Sequence, residues 1–161
     1  MYAPDPLDLR ILEVLQTNGR MPARQIATKI FRSPQTVHNR IDKLQQEGYI
    51  GQYIALLDRR KCGMPALVVT LVKLEKQNRA NLAGFGEQAR SMPQVQCCLQ
   101  VSGKWDFVLF VSVRDPQAYY DWLMNELGGL DNIEHVESSF SLKEWKTYGP
   151  LQLDRITGAP G

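Results

Sequence analysis

Near residue 50 the spacing of apolar residues changes period, so no single kind of layer can bury both parts of the chain. Before that point the apolar positions recur at helical intervals. Leu7, Ile11, Val14 and Leu15 form one stripe, Ile26, Ala27 and Ile30 a second, and Val37, Ile41 and Leu44 a third. Asn18-Gly19 ends the first stripe, Pro22 opens the second, and Ser33-Pro34 opens the third. Ser33 suits an N-cap because its hydroxyl accepts a free N–H of the first turn, and Pro34 suits the first helical position, where no N–H is needed. Gly48 follows the last periodic residue and can close a helix in the left-handed conformation. The spacing predicts three helices over 6–18, 22–30 and 34–47.

After residue 65 strands and helices alternate. Pro65–Glu75 is rich in Val, Leu and Thr. Val95, Cys97, Leu99 and Val101 alternate, and Trp105–Val113 is apolar on both faces. A helix is expected over Arg79–Ser91, and another after the cap Asp115 and Pro116, carrying Tyr119, Leu123, Glu126 and Leu127. The last strand is predicted over Ile133–Lys146. The order β-α-β-β-α-β is the split βαβ arrangement. Between the two parts, Tyr49–Leu57 reads as extended and Asp58–Gly63 as a polar turn.

Two short helices joined by a tight turn, the second opening with Ser-Pro, form a helix-turn-helix, whose second helix can lie in the major groove of DNA. With Val37, Ile41 and Leu44 facing inward, Gln35, Thr36, His38, Asn39, Arg40 and Lys43 are expected on the other side. Gln and Asn can read adenine, Arg can read guanine, and Thr can touch a thymine methyl or a phosphate. Arg32, Arg40 and Lys43 supply charge for phosphates. The charge balance leans the same way. The whole chain of 161 residues carries a net +2, but residues 1–60 hold 9 Lys/Arg against 6 Asp/Glu, and residues 61–161 hold 10 against 11. A protein-interaction role for the same three helices remains open on these grounds, since any surface helix carries polar residues. His38 lacks a nearby second ligand and reads as a groove-facing or solvated residue.

In the second part, Ser102-Gly103-Lys104-Trp105-Asp106 joins two apolar strands. Gly103 permits a backbone turn that other residues resist and lets a ligand approach closely. Asp106 opens a strongly apolar strand, where a carboxylate needs a partner. That partner is either the ammonium group of a ligand or the backbone N–H groups of the hairpin turn. Cys97 and Cys98 point to opposite faces of their strand and read as strand filler. Three cysteines provide neither a disulfide framework nor a metal-binding pair, and His38 and His135 fall in different parts of the chain. No nucleophile-base series and no Gly-rich phosphate loop occurs, so neither catalysis nor a cofactor nor a metal is expected. No apolar run reaches the length of a membrane span, and the acidic, Pro-rich start is no secretory signal, so a soluble cytoplasmic protein is expected.

Together these residues resemble the leucine-responsive/asparagine regulator (Lrp/AsnC) family of prokaryotic transcription factors. The likeness rests on Leu7-Asp8 with Ile11-Leu12, Gly19-Arg20, Ile26-Ala27, Ser33-Pro34 with Thr36-Val37, Arg40-Ile41, Leu44 and Gly48-Tyr-Ile-Gly51. It continues with Val95, Val101-Ser-Gly-Lys-Trp-Asp106, and Ser138 ahead of Leu142 and Lys146. The resemblance implies an α+β protein: an N-terminal winged-helix-like helix-turn-helix domain over 1–50 and a linker over 51–64. A C-terminal ferredoxin-like effector and oligomerisation domain over 65–153 and a tail over 154–161 complete it. It also implies DNA contacts from Arg32, Ser33, Gln35, Thr36, His38, Asn39, Arg40 and Lys43. An amino-acid effector is implied beside Gly103, Trp105, Asp106 and Ser138, and homodimers that assemble into tetramers or octamers. The effector would change assembly or DNA affinity, and so repress or activate genes of amino-acid metabolism.

Three positions depart from the family pattern. Met21 stands where a Ser-like cap is usual, Phe31-Arg32 replaces a small residue and Leu in the turn, and Leu99 replaces an aromatic. Two other functions share this architecture. Sirohaem decarboxylases resemble it and act on a tetrapyrrole, which requires His and Arg in a pocket of the sheet domain, where only His135 is available. An architectural DNA-compacting protein would bind no small ligand at all.

Overall fold

The computed structural model describes residues 2–153, and the proposed tail 154–161 lies outside them. The chain divides into two compact units: residues up to Leu56 together with those from Lys146 onward, and Leu57–Trp145.

The first unit holds three helices, α1 (Pro6–Thr17), α2 (Ala23–Ile30) and α3 (Pro34–Gln46). Each start follows from local chemistry. Asp5 caps α1 through the N–H groups of Leu7 and Asp8, while the Asp8 carboxylate accepts the Asp5 N–H, a reciprocal pair that satisfies two otherwise unpaired donors. Ser33 Oγ accepts the Thr36 N–H at 3.1 Å, and Pro34 takes the first position of α3. Helix α2 has Pro22 as its N-cap and no side-chain cap; Met21, read from sequence as the cap position, lies one residue before it. The three apolar stripes converge on one core of Ile11, Leu12, Leu15, Ile26, Ala27, Ile30, Val37 and Leu44. Each large side chain buried there contributes about 1.5–3 kcal/mol relative to exposure.

Two expectations for this unit change. Among the described residues, Tyr49–Leu57 belongs to no strand, because no ladder partner for it exists within the unit. Residues 146–153, which the sequence reading placed with the sheet, belong to the helical unit. Leu153 is buried in its core, and Gln16 exchanges hydrogen bonds with the Leu151 backbone at 3.1 and 2.8 Å.

The second unit is a four-stranded antiparallel sheet with helices on one face. Its elements run β1 (Ala66–Leu74), α4 (Arg79–Ser91), β2 (Val95–Gln100), β3 (Phe107–Val113), α5 (Pro116–Trp122) and β4 (Ile133–Phe140), with strand order β2-β3-β1-β4. Asn78 caps α4 and Asp115 caps α5. The turns after Trp122 widen into a π-helical segment, Leu123–Leu127, within the helix expected from sequence. In β1 and β3, alternate residues Val68, Thr70, Val72 and Leu74 and Phe107, Leu109 and Val111 are buried beneath the helices with Phe85, Ala89, Tyr119, Trp122 and Leu127. Strand β4 stops at Phe140, six residues short of the predicted Lys146. It pairs only with β1. Phe140 opposes Val68 two residues from the start of that strand, and one more hydrogen bond, from the Ser141 N–H to the Leu67 carbonyl at 2.8 Å, follows it.

Candidate functional site

In the helical unit the α2–α3 turn and the outer side of α3 carry the residues expected to meet DNA. The structure divides them. Arg32, Ser33, Gln35, His38 and Asn39 are exposed, and Thr36 is half-buried. Gln35 Nε2 donates to Asn39 Oδ1 at 2.8 Å, which aligns two amide side chains one turn apart on the same face. His38 lies 3.5 Å from Asp42 on the neighbouring flank. Ser33 and Thr36 share a 2.7 Å hydrogen bond between hydroxyls, so both belong to the cap at the start of the helix.

Arg40 and Lys43 turn elsewhere. Arg40 Nη1 lies 2.7 Å from Asp5 Oδ2 and 3.3 Å from Asp8 Oδ2, and donates to Tyr2 Oη at 3.2 Å. Lys43 Nζ sits 3.9 Å from the centre of the Tyr2 ring. Arg40 therefore holds the N-terminal segment against α3, a role other than the duplex contact expected of it, while Lys43 lies over the Tyr2 ring and stays exposed. The reason is angular. Arg40 is three residues after Val37 and four before Leu44, which puts it on the edge of the buried stripe. The charges show this coupling. Burial pushes Asp5 up, but the Asp8 N–H and the Arg40 guanidinium outweigh it and hold the carboxyl below its ordinary value. The bond to Asp8, reinforced by burial, raises the Tyr2 hydroxyl. Sequence reasoning missed Tyr2, Asp5 and Asp8 as partners of α3, although the position of Arg40 beside Val37 and Leu44 was a usable signal.

Charge remains on the unit without these two residues. From Val14 to Ile41 the chain has five Arg/Lys and no Asp or Glu. Four of the five, Arg20, Arg24, Lys29 and Arg32, are exposed, and among the described residues none of those four forms an ion pair with a carboxylate. This acid-free stretch spans both helices of the motif and their turn. The turn itself is unusual: Phe31 closes α2 in the left-handed conformation at φ 55°, ψ 54°. A bulky side chain is a rarity there, at a cost of about 1–2 kcal/mol.

In the sheet unit the candidate effector residues are not gathered. Gly103 has φ +116° and lies in open space, so the β2–β3 turn needs its freedom. Asp106 is buried, and its Oδ2 accepts the Leu74 N–H at 2.8 Å and lies 3.8 Å from Lys73 Nζ. The carboxylate thus anchors the end of β1, a backbone partner different from the hairpin turn foreseen. Trp105 stacks on His135 with ring centres 5.5 Å apart. His135 opposes Lys73, a position on the sheet face away from the helices. Ser138 opposes Thr70 and lies on the other face, where Tyr119 Oη bridges Ser138 Oγ at 2.5 Å and Thr70 Oγ1 at 2.8 Å. Ser138 and the Trp105–His135 stack are therefore separated by the sheet itself. The strand period of two explains the separation, because Ser138 and His135 lie an odd number of residues apart.

The helix-free face is apolar. Leu67, Val69 and Leu71 of β1, Val108 and Phe110 of β3, and Cys97 of β2 are only half-buried, and Leu99 is 48% exposed. Elsewhere, a groove of about 490 Å³ runs between α4 and β2, lined by Leu82, Gly86, Glu87, Arg90, Val95 and Cys98 among others, but by none of the four predicted effector residues. Among the described residues no cluster of metal-ligating side chains occurs, and no helix is long and apolar enough to cross a membrane.

Comparison with known proteins gives both units a context. The pattern of the Lrp/AsnC ligand binding domain matches residues 67–151, and that of a winged helix-turn-helix DNA-binding domain matches residues 4–50. The chain is 37% identical over 139 residues to the Bkd operon transcriptional regulator of Pseudomonas aeruginosa, covering 86% of this chain and 91% of that protein. It is 30% identical to the leucine-responsive regulatory protein of Rhizobium meliloti over 142 residues, covering 88% of this chain and 91% of the relative. A transcriptional regulator from Neisseria meningitidis, solved in complex with L-methionine, superposes with a TM-score of 0.88 at 27% identity, covering 95% of this chain and 99% of the other.

Proposed function

The chain belongs to the Lrp/AsnC family of DNA-binding transcriptional regulators, and from that premise we propose that it controls transcription in response to a free amino acid. The duplex is held by the outer side of α3 and the cations around it. The observation that carries the DNA half is the acid-free stretch Val14–Ile41, whose exposed Arg20, Arg24, Lys29 and Arg32 surround a helix presenting Gln35, His38 and Asn39. In this reading the cations meet phosphates and the two amides read adenine edges. Arg40 contributes by fixing the orientation of α3. A protein acting on chromosomal DNA in this way works in the cytoplasm.

The effector half is supported by the neighbour that holds L-methionine and by the turn at Gly103. Since one chain leaves Ser138 and Trp105 on opposite faces, the effector site is completed by a second copy. The half-buried apolar face of the sheet is the surface for that copy. A dimer is the minimum, and tetramers or octamers extend it. A two-fold dimer reads half-sites about 34–36 Å apart or a multiple of that.

Two measurements test the proposal. Fluorescence anisotropy with a duplex selected from a random pool should show affinity falling steeply with salt, by roughly 0.9 in log K per log salt for each phosphate neutralised. A flat dependence would remove the DNA reading. A thermal-shift screen of the twenty amino acids should find a stabilising compound. At a hundred times Kd, a ligand of the native state adds about 2.7 kcal/mol. A response to none of the twenty would leave only ligand-independent binding.

A further inference from the structure

We infer that Phe31 is an apolar DNA contact, its ring packing on thymine methyl or deoxyribose surface where the α2–α3 turn meets the duplex. The inference rests on the DNA-binding reading and adds to it a residue outside the polar row of α3.

Phe31 is 85% exposed, and its backbone is left-handed. The backbone has no freedom to retreat. The Phe31 and Arg32 N–H groups both donate to the Ala27 carbonyl, and Arg32 Nη1 donates back to the Phe31 carbonyl at 3.0 Å. Glycine or asparagine is the residue that suits such a helix end. Phenylalanine there strains the backbone and leaves a large apolar surface in water, and both effects oppose stability. No contact within the unit offsets them, since the ring packs into neither the helical core nor another aromatic side chain among the described residues. A strained and exposed residue of this kind points to an external partner.

The surroundings identify that partner. Lys29 and Arg32 flank the ring in sequence, both exposed, and the nearest carboxylates along the chain are Glu13 and Asp42. An apolar protein partner gains nothing from a rim of uncompensated cations, whereas a duplex offers phosphates for the rim and methyl and sugar surface for the ring. Phe31 also lies three residues before Pro34, at the end of α3 that a helix-turn-helix directs into the major groove. Phenylalanine is among the side chains that make apolar contact with the thymine methyl.

The test uses the full chain and the duplex selected with it from a random pool. Phe31→Ala keeps a Cβ in the left-handed turn and removes only the ring. Phe31→Gly also relieves the backbone. The expected result is a roughly tenfold weaker affinity for both variants with the salt slope of the parent, together with a raised melting temperature for Phe31→Gly. Thymine-to-uracil replacement then separates the two surfaces. Weakening of the parent but not of Phe31→Ala assigns the methyl, and equal affinity of the parent for both duplexes assigns the sugar. Parental affinity in both variants overturns the inference while leaving the regulator reading intact. Failure of the parent itself to bind any duplex removes the reading and the inference together. If Phe31→Ala instead lowers the mass of the oligomer in sedimentation and leaves the DNA affinity of the remaining assembly unchanged, the ring belongs to a protein contact and the inference is wrong.

Discussion

In the helical unit, Gln35, His38 and Asn39 stand on the outer side of α3 while Arg40 and Lys43 turn back toward Tyr2. In the sheet unit, Asp106 is buried against the Leu74 N–H, and Ser138, though exposed, is hydrogen-bonded to the Tyr119 hydroxyl. Both units therefore use candidate residues to hold their own structure, but with different consequences. A helix advances 100° per residue, so losing Arg40 and Lys43 to one flank leaves a broad polar face complete within a single chain. A strand has only two faces, so the same commitment splits its candidates to opposite sides. In the proposed reading the helical unit presents its polar row from one chain, whereas the sheet unit needs a second chain to complete an amino-acid site.

The sharpest way to break this contrast is to remove the second chain. Phe110 is half-buried on the helix-free face beside Val69, which it opposes. Phe110→Asp places a charge there and should convert the oligomer to monomer in sedimentation. It should also abolish amino-acid stabilisation in thermal shift and weaken binding to a two-half-site duplex by about a hundredfold or more through lost multivalency. A monomer that still responded to an amino acid would show that the sheet unit is self-sufficient.

The next effect belongs to the helical unit. Arg40→Ala leaves the fully buried Asp8 carboxylate with fewer donors and should cost about 2–3 kcal/mol, the scale of an incompletely satisfied buried charge. The three tryptophans, Trp105, Trp122 and Trp145, all lie in the sheet unit, so the two units can be followed separately. Circular dichroism should show the helical transition moving while tryptophan fluorescence stays in place, and the salt slope of DNA binding should not change. A slope reduced by one phosphate would return Arg40 to the groove.

Asn39→Ala tests the outward face itself. It should leave both unfolding transitions unchanged and reduce discrimination for the selected duplex by about 1–3 kcal/mol, the value of a bidentate base contact. Unchanged discrimination would place base reading elsewhere on the unit.

The particular residues show what sequence could convey. Helix starts at Ser33 and Asp115, the helix beginning near residue 6 and the order of the four strands were legible because caps, Pro positions and apolar period act within a few residues. The division of the α3 cations was partly legible, since Arg40 falls on the edge of the Val37–Leu44 stripe, but its partners lie 32 to 38 residues away. The fate of Asp106 was legible as a choice between ligand and backbone. Selecting Leu74 required the β1–β3 register, which no local signal sets. The odd spacing of His135 and Ser138 in β4 was visible in the sequence, but the stacking of Trp105 on His135 joins residues 30 positions apart. The ladder that ends β4 at Phe140 and the placement of Leu153 in the helical core depend equally on partners distant in sequence.

The smallest effect comes from acid, and it separates the units by the nature of their caps. Asp5 is held below its ordinary value of 3.8 by the Asp8 N–H and Arg40, which outweigh its burial. Asp115 is held below 3.8 by the Ala118 N–H and Arg114. A carboxyl with a lowered folded pKa stabilises the native state at pH above the unfolded value, and that contribution is lost as pH falls through the folded value. Both caps should therefore hold at neutral pH and weaken below about pH 3.8. Asp115 is a solvated cap on one helix of a large apolar layer, while Asp5 also closes the cluster of Tyr2, Asp8 and Arg40. Acid should lower the circular-dichroism transition of the helical unit before it alters tryptophan fluorescence. Asp5→Asn should remove most of that difference. It keeps a capping oxygen for α1 but gives Arg40 no charge, so the acid sensitivity that survives measures the cap alone.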